Sequence, residues 1–403
     1  MSGIHHTPQL ESNTQTSKLS DETLGKFHAF SVTTPTDHQA TLRAVGHLKK
    51  IDLEENRDIT VAALSALEAG SLPELETLSL DERRLTIQTL QACLKAAPHL
   101  KELSLTAYYT GFEFKALTRL FKNAPLVSLE KLVFDNSQID MSQDLQAFLE
   151  IAPNLKSISI LCASNVNGDF TYLQPNSLPN LRRFCVFGPE FTMKDLQSVL
   201  LAAPNLKQLN ILEYTENGAE KFPPLNLSLE KVYLQGHITN YLQALLRAAP
   251  HIKDIELQDD KIDLESALSA LNIDSLPALT NFSLTRRDLT SEDYRPITTT
   301  DILSVLKMSP NLREIKFEKS LEYADTMTEP DKDTKESETL DFSEFSNYRF
   351  PSITRITLSN IDVKNLQNLE EAMPNLEFID HTPAPTQVID PEDTNEESLI
   401  NEA

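Results

Sequence analysis

The chain has 403 residues, 40% of them hydrophobic, and its 60 acidic against 36 basic side chains give a net charge of −24. That balance argues against nucleic acid or an anionic membrane surface as a partner, because both need a basic footprint; it fits a soluble protein, with a basic partner if charge selects one. Three cysteines, far apart in sequence, make no disulfide or zinc pattern, and no apolar run reaches membrane-spanning length or forms a signal-peptide core. A reducing, cytoplasmic setting and no membrane insertion are the expectations; export by a route that reads another signal stays open.

In chain order, residues 1–20 are rich in Ser, Thr, Asn and Gln. Residues 1–36 are expected to be a disordered segment leading into a cap. HQATLRAVGHLKKIDL at 38–53 then aligns without gaps on LQACLKAAPHLKELSL at 90–105. His38 and Thr41 stand where the later copy has Leu90 and Cys93, and Gly46 stands for Pro98. A worn, more polar first copy is what a terminal cap requires.

The same phrase returns as DLQAFLEIAPNLKSISI at 144–160, DLQSVLLAAPNLKQLNI at 195–211 and YLQALLRAAPHIKDIEL at 241–257. Weaker copies are DILSVLKMSPNLREIKF at 301–317 and NLQNLEEAMPNLEFID at 365–380. Each predicts a helix with an i, i+3, i+4 stripe, such as Leu90, Cys93, Leu94 and Ala97, then a Pro that ends it, then a strand. Interleaved copies carry SLPEL, VSLEKL, SLPNLRR, LSLEKV, SLPAL or FPSI before their strand. Several then run into an apolar residue followed by Thr or Asp, a helix N-cap signal: Thr86, Asp140, Thr192, Thr239, Thr290 and Asp362. Aligned on the Leu or Ile that opens the strand, thirteen anchors run from Leu48 to Leu376. Their mean spacing is about 27 residues, and each begins an L-x-x-Φ-x-Φ pattern whose last two apolar residues share a strand face. Two alternating copy types make the true period about 52 residues, one pair.

These residues resemble the leucine-rich repeat family, in its helix-backed, ribonuclease-inhibitor-like class. The resemblance covers roughly 48–380 and implies an α/β solenoid, a horseshoe with a parallel sheet on the concave side and helices on the convex side. One departure is plain: Arg83, Ser137 and Asp260 occupy places where that family often has the Asn or Cys of a buried ladder. The expected organisation is one repeat domain over 37–380, an acidic loop at 318–346, and a disordered acidic tail at 381–403. The loop has ten acidic and three basic residues and an apolar end, LDFSEF at 340–345. The tail has six acidic residues and no Lys or Arg.

No motif for catalysis, metal or cofactor binding is present: the chain lacks GxGxxG, Walker A, HExxH, GxSxG and CxxC. His47, His99 and His251 share a slot just before the anchor with Asn154, Asn205, Asn311 and Asn375, which makes them turn hydrogen-bonders rather than bases or ligands. Cys93 falls in the helix stripe and reads as core; Cys185 is expected on the concave face. Outward strand positions are polar or acidic early on, at Asp52, Glu54, Glu55, Thr77, Ser79, Asp81 and Glu82. In the middle they turn apolar. Val133, Leu161, Phe187, Leu212 and Tyr233, with Arg183 among neighbouring polar residues, are the candidate partner-binding set.

The C-terminus, IDPEDTNEESLINEA, resembles the translocation signals of Dot/Icm type IV secretion effectors, which implies a glutamate block at Glu392, Glu396 and Glu397 and a hydrophobic position at Leu399 and Ile400. The expectation is a monomeric, non-catalytic interaction protein with a protein partner, delivered into a host cell. Two alternatives follow from the fold: a substrate adaptor of a ubiquitin ligase, although 1–47 holds no convincing F-box, and a small-GTPase activator, although no arginine can be singled out for it.

Overall fold

The computed structural model describes residues 49–52, 65, 67–81, 86–106, 119, 121, 125–135, 141–161, 170–188, 191–214, 227–236, 239–259, 261–269, 271, 275–286, 295–320 and 339–383. The chain divides into two compact units, Met1–Ala107 and Tyr108–Ala403. In the first, strands β1 (Lys50–Asp52), β2 (Thr77–Asp81) and β3 (Glu102–Thr106) are parallel and in register, with Ile51, Leu78 and Leu103 side by side. Helix α1 (Ile87–Ala96) joins β2 to β3 and buries Leu90, Cys93 and Leu94; with its C-cap Ala97, also buried, all four stripe residues read from the sequence are core.

Among the described residues of the second unit, ten parallel strands stack in chain order in one sheet. They are β4 (Lys131–Asp135), β5 (Ser157–Leu161), β6 (Arg183–Phe187), β7 (Gln208–Tyr214), β8 (Lys231–Gly236), β9 (Asp254–Gln258), β10 (Asn281–Arg286), β11 (Glu314–Lys319), β13 (Arg355–Ser359) and β15 (Phe378–Thr382). β12 (Thr339–Asp341) and β14 (Asp362–Lys364) form a separate parallel pair. The helices are α2 (Met141–Ile151), α3 (Met193–Ala202), α4 (Thr239–Ala248), α5 (Leu264–Ser269), α6 (Thr299–Met308) and α7 (Leu366–Ala372). One strand per repeat, in parallel and in sequence order, is the α/β solenoid of leucine-rich-repeat type that the anchors imply.

Alternation does the positioning. In β5 the second and fourth residues, Ile158 and Ile160, are fully buried, while Ser157, Ser159 and Leu161 face the other way and are half-exposed. The buried set packs on the helices: the Phe134 ring of β4 meets Phe148 of α2 edge-on, with centroids 5.3 Å apart. Each fully buried Leu or Ile is worth about 1.5–3 kcal/mol.

The copies are clamped in pairs. The N–H of the apolar residue that precedes the Pro or turn in each interleaved copy donates to the last carbonyls of the next helix. Leu72 bonds Ala96 O, Leu126 bonds Ile151 O, Leu178 bonds Ala202 O and Leu276 bonds Met308 O, at 2.6–3.0 Å, and Leu227 and Phe350 repeat the pattern. This satisfies carbonyls that a helix end leaves free. The next residue's carbonyl accepts from the asparagine slot of the following copy: Asn154 to Val127 O at 2.9 Å, Asn205 to Pro179 O at 3.0 Å, Asn311 to Pro277 O at 2.9 Å and Asn375 to Pro351 O at 2.7 Å. These exposed bridges are the turn hydrogen bonds that the slot implied.

Four expectations shift. The cap residues Thr86 and Thr192 hold α1 and α3 as expected, and Thr192 forms a capping box with Asp195. The helix expected after Thr290 is instead capped by Thr298, in a second box with Asp301, because SEDYRPITTTD at 291–301 lengthens that copy; Thr290 lies outside the described residues. Asp362 opens β14 rather than a helix, and α7 starts after Asn365, which sits at φ 58° without a side-chain cap bond. Lastly, 318–346 is not loop throughout. Glu318 and Lys319 belong to β11; 339–341 forms β12; Phe342–Asn347 is a 3-10 turn whose Phe342 and Phe345 are fully buried, rings 5.1 Å apart. The apolar end of the acidic insertion is core, and only its middle, 321–338, lies outside the described residues, as do 1–48 and the tail from 384. Residues 381–382, assigned above to the tail, close β15.

Candidate functional site

The open face of β5–β7 is a three-by-three grid set by register. Across the first row stand Ser157, Arg183 and Gln208; across the second Ser159, Cys185 and Asn210; across the third Leu161, Phe187 and Leu212. Strands lie about 4.8 Å apart and two residues advance about 6.6 Å, so the apolar row is roughly 10 Å wide and about 13 Å from the polar one. All nine side chains are half-exposed except Arg183, which is exposed.

The sequence-selected residues therefore do not form one cluster. Leu161, Phe187 and Leu212 are neighbours. Val133 and Tyr233 lie in the second row at its two flanks, opposite Ser159 and Asn210 respectively, and Arg183 stands in the first row. Asn210, Ser159 and Cys185 fill the centre; none was in the candidate set, although Cys185 was expected on this face, and Ser159 emerges only from the register. The apolar row stops at a bulge in β7, where pairing with β8 skips from Ile211 to Tyr214. Bulges re-aim side chains, and this one ends the apolar row at Leu212.

Polar contacts order the grid. Arg183 Nε donates to Gln208 Oε1 at 2.9 Å, and Gln208 Nε2 donates to Asn210 Oδ1 at 3.3 Å. Tyr233 Oη donates to Gln258 Oε1 at 2.7 Å, which holds that ring at the flank. Lys231 bonds Asp254 at 2.9 Å, and this carboxylate holds its ammonium above the usual lysine range. Burial raises the Cys185 thiol above its ordinary value, opposed in part by the Arg183 charge; Cys93 is pushed up to about 12 by burial. Both shifts run against thiolate formation.

At the strand entries Lys156 pairs with Glu130 at 2.7 Å, and Lys207 and Lys253 pair with Glu230 at 2.6 and 3.0 Å. Among the described residues no group of three or more His, Cys, Asp or Glu could hold a metal ion, and no helix is long and apolar enough to cross a membrane. Two exposed apolar side chains escaped the sequence reading: Val127, in the turn before β4, and Phe378 on β15, 50% exposed with the Arg355 guanidinium 5.4 Å from its ring centre. Of the secretion-signal residues, Glu392, Glu396, Glu397, Leu399 and Ile400 all lie outside the described residues.

No protein-family model and no curated protein matches the chain. Solved structures do: a chain of the yeast Rad7 and Elc1 complex matches over 74% of this chain and 87% of its own length, at 16% identity and a TM-score of 0.37. A match that loose adds nothing to the geometry, and the fold rests on the strands themselves.

Proposed function

We propose that this protein is a non-catalytic interaction module that holds a protein partner on the open face of β4–β8, and that a bacterial type IV system delivers it into a host cell, where that partner resides. The observation that carries the binding reading is the contiguous row Leu161, Phe187 and Leu212, kept half-exposed on rigid strands beside an ordered polar network. Solvent-facing apolar side chains on a sheet face mark interaction surfaces. A thiol made less acidic, at Cys185, speaks against a nucleophile there. Delivery is supported by the terminal resemblance around Glu392, Glu396, Glu397, Leu399 and Ile400 alone.

Affinity capture from eukaryotic lysate with the intact chain and with a folded Phe187→Glu, Tyr233→Glu variant tests the binding reading. A partner held by the first and lost by the second is expected; a partner retained by both moves the site elsewhere. A translocation reporter fused to the chain with and without 384–403 tests delivery, and unchanged translocation of the shortened form removes that part.

A further inference from the structure

We propose that the β5–β7 face binds an acidic, extended peptide segment of its partner, with a carboxylate at Arg183 and a bulky apolar side chain about four residues away on Leu161, Phe187 and Leu212. This rests on the interaction reading above and gives it a ligand chemistry.

The charge at the site opposes the charge of the molecule. A net −24 suggests a basic partner. None of the nine grid residues is acidic, so a basic segment laid across them pairs with none of the nine; the acidic residue that register sets beside the grid, Asp135, adjoins Leu161 in the third row, two rows from Arg183. Three other cations of this face are already committed. Lys231 bonds Asp254 at 2.9 Å, Arg355 reaches Glu314 at 3.9 Å, and Lys316 bonds Glu318 at 2.5 Å. Arg183 differs: its Nε is spent on a neutral amide, Gln208, and both terminal nitrogens stay unengaged on an exposed side chain. Gln208 is itself anchored to Asn210, so the guanidinium is held before a ligand arrives. A planar, pre-oriented guanidinium with two free amino groups fits a carboxylate.

Spacing selects the rest. Rows one and three are roughly 13 Å apart along the strand, which is about four residues of extended chain, and residues i and i+4 of such a chain point the same way. The apolar row has room for one large side chain and ends at the β7 bulge.

The test is selection of random dodecapeptides on the full chain, followed by affinity measurement of the enriched peptides. Enriched sequences are expected to carry Asp or Glu about four positions from Leu, Ile, Phe or Met. Their binding should weaken roughly tenfold or more on Arg183→Glu, less on Arg183→Gln, and fall with rising ionic strength. Selection on the Arg183→Glu chain should exchange acidic for basic residues. Circular dichroism on each variant confirms that it folds. Peptides that need Phe187, judged by Phe187→Ser, but show no acidic preference would overturn the ligand chemistry and leave the docking reading standing. Peptides indifferent to both substitutions would overturn both. Failure to enrich any peptide would overturn the extended-segment occupant.

Discussion

Arg183 and Lys231 occupy the same row of the same sheet face, yet only the second has a carboxylate within reach. That difference decides which cation a ligand meets, and it depends on which residues register brings alongside. The sequence could show that Leu161, Phe187 and Leu212 face outward, because a period of two needs only the anchor. The anchor offsets also separate the rows, four residues for Val133 and Tyr233 and six for Leu161, Phe187 and Leu212, but they could not show that Gln258 ties down the Tyr233 hydroxyl. Core residues give the sharper mutational test. Phe184 is 1% exposed and meets Phe170 edge-on at 5.8 Å. Phe184→Ala should cost about 3–5 kcal/mol, read as a shifted urea midpoint. A titration test lies at the strand entries, where Lys207 and Lys253 bond Glu230 and hold its carboxyl below the usual range. That stabilisation is complete above the unfolded glutamate value of about 4.3 and is lost as pH falls through the lower folded one. The effect is small at an exposed site. Glu230→Gln should therefore flatten the acid-side decline of Tm; an unchanged slope would show that the pair contributes nothing.

At the scale of elements, the helix–Pro–strand phrase was fully legible, because Leu periodicity, a Pro and a cap signal agree with one another. Interruptions were not. Thr298 rather than Thr290 caps α6, since an insertion separates signal from helix and the sequence offers several threonines. The 339–347 segment read as loop because its neighbours are acidic; burial of Phe342 and Phe345 outweighs that composition. The caps and clamps predict modest, separable costs. Thr192→Ala removes one side of the capping box on α3 and should cost about 0.5–2 kcal/mol. Asn205→Ala removes one exposed bridge and should cost about 0.5–1.5 kcal/mol. Measured by denaturant unfolding, equal effects from Asn205→Ala and Asn205→Asp would identify the side-chain amide as the donor that matters.

For the molecule as a whole, the clamps predict that the pair of copies is the folding unit within Tyr108–Ala403. Deleting 178–226 replaces Leu178 by its equivalent, Leu227, and keeps every clamp outside the deleted stretch. Deleting 206–228 removes one copy, joins Leu229 in place of Leu206, and leaves the Ala248 carbonyl without its Leu227 donor. The longer deletion should still unfold in one cooperative transition at reduced Tm, while the shorter one, despite removing fewer residues, should broaden or abolish it. The opposite order would show that single copies are autonomous.

A chain assembled this way has a grammar of descent. Duplication or loss that respects the clamp moves two strands at a time, so the homologues that fold should differ from this protein by even numbers of strands. The long acidic stretch after β11 falls where one clamped pair hands over to the next, between the pair that ends at β11 and the one that carries β13 and β15, whereas the shorter 291–301 insertion lies inside the β10–β11 pair. The strand count of a relative is then a record of its history, and the junctions are where the longest new sequence enters without dismantling the old.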